Sequence, residues 1–288
     1  MNVLVFGCGY LGGAFAERRQ TMGDVVTVTA RRPDNNSTLM ARGFAVVDPG
    51  DADALAATAG DTDAILVTAP PDEDGCPGLR SLIPALARSG GFPGWIGYLS
   101  TTGVYGDRDG GWVFEGSEQN AATLKAARRV AAERDWLEVG RGMGLTVCIF
   151  RLPAIYGPGR SPFEKLRDGT ARRIRKPGQV FNRIHRDDAV EALCASLARP
   201  RPGAAYNLCD DDPVGADDFT EYAAGLLGLP PPPEADWMDA EVGEGTRRFY
   251  LDNKRVSNAL AKAELGWRPR YADWRDGLKA VLAAEGQG

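Results

Sequence analysis

With 288 residues, 43% of them apolar and 25% charged, the chain has the make-up of a globular protein of one large domain or two smaller ones. A net charge of −5 argues against nucleic-acid binding, and no run approaches the roughly 20 apolar residues that cross a bilayer. A single histidine and five cysteines without a CxxC pair leave no zinc site to expect, so no metal is assigned, and they fit a reducing cytoplasm.

The first apolar run, residues 3–6, starts so early that no signal peptide fits before it. Further strands are predicted at 25–29, 44–47, 64–67, 96–99 and 145–150, with amphipathic helices at 11–22, 52–59, 79–88 and 121–139. Several strands are unbroken Val/Ile/Leu runs, the pattern of strands covered on both faces. Strands alternating with helices predict an α/β fold with a Rossmann-type, doubly wound parallel sheet. The helical faces of 79–88 and 121–139 suit either the core or a homodimer.

After Arg151 the pattern changes. Pro153, Gly157, Pro158, Gly159 and Pro162 mark turns before a helix at 162–168, and a basic run from Arg172 to Lys176 follows. A helix is predicted at 187–198 with Asp187 or Asp188 as its N-cap. A short strand comes next at 205–208, then a stiff, exposed linker at Pro230–Pro233. Asp252 is the expected cap of a helix at 254–264. We therefore expect residues 1–152 with 186–208 to form the nucleotide-binding domain, and 153–185 with 209–288 a small C-terminal substrate-binding lobe.

The first candidate site is Gly7-Cys8-Gly9-Tyr10-Leu11-Gly12, set between a strand and a helix. Gly7 permits the tight turn, Gly9 lets the backbone approach a pyrophosphate, and Gly12 allows the helix to lie close on the strand. Amides at the helix start, at Tyr10 and Leu11, then face the phosphates. An acidic residue about 20 positions on would bind the ribose of NAD. The chain has Arg31 and Arg32 there, which can fork onto a 2′-phosphate, so NADP(H) is expected over NAD(H). Asp48 is placed to meet the adenine, and Thr68, Ala69 and Pro70 to line the ribose and pyrophosphate path.

Four further segments carry a family resemblance: LSTTGVYG at 99–106, RLPAIYGPGR at 151–160, FNRIHRDD at 181–188 and the stretch from Asn253 to Trp267. With the glycine turn, they resemble the extended short-chain dehydrogenase/reductase superfamily, in its NAD-dependent epimerase/dehydratase-like branch, over nearly the whole chain. The resemblance implies a Ser/Thr after the fifth strand, matched by Thr101, and a Tyr-x-x-x-Lys pair on the next long helix. No tyrosine occurs between Tyr105 and Tyr156. Aligned on Val130 to Glu133, the tyrosine position holds Lys125 and the lysine position Arg129. Arg129 is then expected to hold the nicotinamide ribose. Lys125 qualifies as proton donor only where burial or nearby cations lower its pKa.

Tyr105 and Tyr156, at the ends of strands, are alternative phenols, and water is a further proton source. His185 is expected to be structural. Arg160, Arg173, Lys176 and Arg183 suggest an anionic or polyhydroxylated small-molecule substrate. The leading expectation is an NADP(H)-dependent oxidoreductase or epimerase-like enzyme. Its rivals are a non-catalytic NADP(H) sensor and a nucleotide-sugar epimerase with tightly held cofactor.

Overall fold

The computed structural model describes residues 1–240 and 242–286. The first half of the chain runs β1 (Asn2–Phe6), α1 (Tyr10–Thr21), β2 (Val25–Thr29), α2 (Pro33–Ala41), β3 (Ala45–Val47), α3 (Ala52–Gly60), β4 (Ala64–Val67), α4 (Pro77–Ser89), β5 (Trp95–Thr101), β6 (Trp112–Val113) and α5 (Leu124–Met143). The second half runs β7 (Val147–Leu152), β8 (Ala154–Tyr156), α6 (Phe163–Arg167), β9 (Arg173–Arg175), β10 (Arg183–His185), α7 (Arg186–Ala198), β11 (Ala205–Asn207), α8 (Ala216–Leu226), β12 (Glu234–Asp236), α9 (Glu244–Arg247), β13 (Arg255–Val256), α10 (Ala259–Leu265) and α11 (Trp274–Glu285).

Seven strands form one sheet in the order β11-β7-β5-β4-β1-β2-β3, and β1 to β5 pair in parallel. This is the expected Rossmann-like α/β fold. The strand order reverses between β1 and β4, the switch point at which open α/β sheets bind ligands. Every residue of β4 is buried, as its unbroken apolar run requires. Helix ends follow local chemistry. Asp51 caps α3 by accepting from the amides of Asp53 and Ala54, and Thr123 caps α5 through the Ala126 amide. Gly144 closes α5 in the left-handed conformation that glycine adopts without penalty.

The chain divides into two compact units. The first comprises Met1–Thr101, Thr123–Arg151 and Val190–Tyr206, and the second Thr102–Ala122, Leu152–Ala189 and Asn207–Gly288. The segment 102–122, which sequence reading placed in the nucleotide-binding half, belongs to the second unit. A core of Leu4, Phe6, Ile65, Val67, Leu82, Ile96, Trp136 and Ile149 fills the first unit. Leu79, Ile83, Leu137 and Val139 pack against it, so the apolar faces of α4 and α5 serve the core. The second unit contains three small parallel strand pairs, β8 with β10, β9 with β12, and β6 with β13. Its core joins Tyr156, Phe163, Phe219, Trp274, Leu278 and Val281.

Four local expectations fail. Residues 254–258 are not helical: β13 pairs with β6, and the helix starts only at Ala259. Asp252 caps nothing; it accepts from Lys254 Nζ at 3.3 Å. Neither Asp187 nor Asp188 precedes α7, since both lie in its first turn. Asp188 turns inward instead and accepts from the amides of Arg270 (2.7 Å) and Tyr271 (3.0 Å). The proline linker is also not wholly exposed. Pro232 is buried, and the carbonyls of Pro232 and Pro233 accept from Arg173 as β12 forms.

Candidate active site

The glycine turn sits at the carboxyl end of β1, next to the carboxyl end of β4. Gly7 has φ +97°, and a Cβ there would lie 2.8 Å from Thr68 Oγ1 and 3.0 Å from the Ala69 amide. Thr68 donates its hydroxyl to the Gly7 carbonyl, and the Gly7 amide donates to Thr29 Oγ1 at 2.9 Å. The turn is thus tied to both neighbouring strands. At Gly12 a Cβ would lie 2.6 Å from the Gly7 carbonyl, so the helix can approach only without a side chain. At Gly9, exposed at the start of α1, a Cβ would meet nothing within 4 Å. The glycines at 7 and 12 thereby serve the fold, whereas Gly9 keeps an approach open. Tyr10 and Leu11 open a helix whose first turn holds no acidic side chain to oppose an anion.

The other residues expected to contact a nucleotide follow the carboxyl ends of β2, β3 and β4. Arg31 and Arg32 are exposed just after β2. Asp48 is exposed after β3, with its carboxylate accepting from the Gly50 amide at 2.8 Å. Ala69, half-buried, bonds its amide to the Phe6 carbonyl at 3.3 Å, and Pro70 is exposed beside it.

The second part of the first unit's site is the end of β5 with the start of α5. Thr101, half-buried, is the last residue of β5, and Arg129 lies on the second turn of α5. Arg129 Nη1 donates to the Leu99 carbonyl and, at 3.3 Å, to the Tyr98 hydroxyl, with its guanidinium over the Tyr98 ring. Tyr98 itself is fully buried, and burial raises its phenol well above the ordinary range. Lys125 lies one turn before Arg129 but is exposed, so the burial that its proton-donor role requires is absent. A buried network missed in the sequence backs this shelf. Ser100 donates to Glu133, and Arg151 closes on the same carboxylate from β7. The signal was available as a glutamate four residues beyond Arg129, but nothing in the sequence alone shows that it points inward.

Within the second unit, the remaining candidates are mostly engaged in holding the unit together. Tyr105 is fully buried and donates to Asn207 Oδ1 at 2.7 Å, while Asn207 in turn donates to the Ser257 carbonyl. Arg173 pairs with Glu221 at 2.5 Å and Glu234 at 3.5 Å. Lys176 donates to the Tyr250 carbonyl and lies 4.7 Å over the Trp237 ring. Arg183 is buried, donates to the carbonyls of Phe181 and Val214 at 3.1 Å each, and stacks 4.1 Å over Phe219. Burial lowers its pKa to about 10. Three of the four cations expected to grip an anion are therefore engaged by groups of their own unit, and Arg160 alone of the four is exposed.

Tyr156 is buried with its hydroxyl unpartnered, its ring edge-on to His185 at 5.3 Å. Burial, with the nearby carboxylates of Asp210 and Asp188, holds the phenol well above its ordinary value. His185 accepts from the Asp187 amide through Nδ1 at 3.2 Å, and burial pushes its pKa down to about 4. Its imidazole is buried, and Nε2 is left without a hydrogen-bond partner. Asp210, 2% exposed, has neither carboxyl oxygen in a hydrogen bond of ordinary geometry, and burial raises its pKa well above the usual range against the pull of Arg183.

Among the described residues no cluster of His, Cys, Asp and Glu suits a metal, and no helix is long and apolar enough to cross a membrane. No family model matches the chain. It is 30% identical to the protein YeeZ of Escherichia coli K12 over 94% of its own length and 97% of that protein's. A conserved protein of unknown function from Silicibacter pomeroyi shares 43% identity and superposes with a TM-score of 0.91 over 98% of each chain. With the geometry above, these matches decide the family. The chain belongs to one family with the protein YeeZ. The dTDP-glucose 4,6-dehydratase DesIV of Streptomyces venezuelae, solved with NAD bound, shares the fold at 23% identity, with a TM-score of 0.81 over 100% of this chain and 98% of that one.

Proposed function

We propose that the chain is an NADP(H)-dependent oxidoreductase or epimerase/dehydratase-type enzyme acting on a small polar substrate. The observation that carries this reading is the glycine cradle at the β1–β4 switch point. It is tied to Thr29 and Thr68 and left open only at Gly9. Preference for the 2′-phosphate rests on the residues after β2. The Thr29 hydroxyl is taken by the Gly7 amide, and Ala30, Arg31 and Arg32 follow without a carboxylate. Two exposed guanidinium groups attract the extra phosphate, and no acidic side chain at these positions repels it.

A bound nicotinamide nucleotide supplies hydride transfer. Thr101 then orients a substrate oxygen, and Arg129, its Nη1 fixed on Leu99, presents its remaining N–H groups to the ribose hydroxyls. The tyrosine that usually gives the proton has no equivalent on α5. A water delivered along Thr101 takes that place. One observation favours a second reading, a nucleotide sensor without turnover. Lys125 is exposed, Tyr105 donates to Asn207, and Tyr156 is buried, so each of the three side chains considered as proton donor is ill suited to that role.

Fluorescence titration with NADPH and NADH tests the binding. We expect NADPH to bind at least about tenfold more tightly, and the variant Arg31→Ala/Arg32→Ala to lose that margin while still binding NADH. Equal affinities in the unaltered chain would remove the preference, and binding of neither nucleotide would remove the whole reading. Incubation with NADPH or NADP⁺ and a metabolite extract, followed by mass change and absorbance, separates the alternatives. Net oxidation with a new product marks an oxidoreductase, an isomer without net redox an epimerase, and tight binding without product a sensor.

A further inference from the structure

Two buried charged residues stand behind the proposed site and take no part in the reading above. Glu133 lies four residues beyond Arg129, on the same face of α5, and is 2% exposed. Its carboxylate accepts the hydroxyl of Ser100, the neighbour of Thr101. Arg151, 6% exposed on β7, grips that carboxylate with Nε at 3.2 Å from each oxygen and Nη2 at 2.8 Å from Oε2. Arg129 meanwhile donates to the Leu99 carbonyl. One face of α5 thus holds the end of β5 at two successive residues, Leu99 and Ser100, directly before Thr101.

Stability alone gives a weak reason for such a pair. Removing both charges from water is costly, and well-packed apolar residues often serve the fold as well or better. What an apolar pair lacks is direction. A carboxylate held by a guanidinium fork and a hydroxyl allows one register of helix on strand, whereas apolar side chains tolerate several.

We propose that Glu133 and Arg151 are positioning residues that set α5 in register on β5 and β7, and so present Thr101 and Arg129 together to the nucleotide and its substrate. This rests on the nucleotide-binding reading of the preceding subsection. Glu133 and Arg151 touch neither ligand; they act through Ser100 and Arg129.

The test compares full-length Glu133→Gln, Arg129→Ala, the two combined, and Glu133→Leu/Arg151→Met. NADPH affinity is read by fluorescence, the Tm by calorimetry, and backbone amide exchange at Leu99–Thr101 without ligand. A residue acting through Arg129 couples to it in a double-mutant cycle. We expect Glu133→Gln and Arg129→Ala each to weaken NADPH about tenfold, and the combination to be no weaker than Arg129→Ala alone. Glu133→Leu/Arg151→Met is expected to melt at or above the unaltered chain, yet to bind NADPH as poorly as Glu133→Gln and to exchange faster at Leu99–Thr101. Additive losses, or unaltered affinity in the folded Glu133 variants, would overturn the proposal. If the unaltered chain binds no nicotinamide nucleotide, the functional reading falls, and the exchange measurement decides the positioning by itself. Faster exchange at unchanged Tm supports it, and unchanged protection overturns it. Should Glu133→Gln fail to fold, Glu133→Leu/Arg151→Met carries both measurements.

Discussion

At the level of single residues, the three glycines of the turn have separable duties. Gly7 and Gly12 occupy places where a Cβ would press on Thr68 or on the Gly7 carbonyl, so their replacement strains the fold itself. Gly9 has open space around it. Gly9→Ala is therefore expected to melt within about 0.5 kcal/mol of the unaltered chain, as for a surface change, while losing most of its affinity for NADPH. Parallel melting and titration check this; an alanine variant that still binds would show that nothing approaches the turn at that point.

Asp210 invites a different experiment. Burial favours the neutral form of this carboxyl and outweighs the nearby Arg183 guanidinium, so its folded-state pKa lies above the unfolded value of about 3.9. Above that value the unfolded chain has released the proton that the native state retains, so this group's contribution to stability falls as pH rises until the native carboxyl ionises. Asp210→Asn cannot ionise. It is expected to melt above the unaltered chain at pH 8, by about 1 kcal/mol or more, with the difference shrinking towards pH 4. A difference independent of pH would show that the native carboxyl is ionised and held by a partner.

At the level of elements, what the sequence announced was the large parallel sheet. Its strands β1, β2, β4, β5 and β7 are four to seven residues long and mainly apolar, long enough to show their character without a partner. The small strands of the second unit are two or three residues long, too short to display a period, and each forms because a distant segment lies alongside. Lys254 shows why the helix expected from 254 fails. Its ammonium turns inward to the Gly106 carbonyl at 2.8 Å, and the next two residues pair with Trp112 and Val113. Burial lowers its pKa against the pull of Asp252. The basic run from Arg172 to Lys176 was legible as charge, but its acidic partners Glu221 and Glu234 lie about fifty residues or more away in sequence. Sequence spacing therefore could not distinguish a ligand grip from an internal ion pair. The site was most readable where a turn required glycine, and least readable where a side chain's direction decided its role.

Helix α11 offers a test at this scale. Gly277 lies under the phenol of Tyr156, and a Cβ there would collide with its hydroxyl and ring. Gly277→Ala is expected to lower stability by about 1–3 kcal/mol, the usual cost of overfilling a core, despite alanine's better helix propensity. Denaturant unfolding measures it; a neutral or stabilising result would mean that the tyrosine turns aside without cost.

At the level of the whole molecule, each unit is assembled from three separate stretches of chain, so neither corresponds to a simple half of the sequence. The link between Lys254 and Gly106 joins residues 148 apart, and Arg255 reaches the Gly110 carbonyl across 145. Closing so long a loop is entropically unfavourable before any contact repays it, and folds rich in such closures form slowly. During synthesis, the segment 106–113 must wait unpaired until residues 252–258 have emerged. The second unit is consequently expected to be the late step in folding, with its intermediate exposing the edge of Trp112–Val113 to chaperones and proteases before the first unit shows any sign of incompleteness.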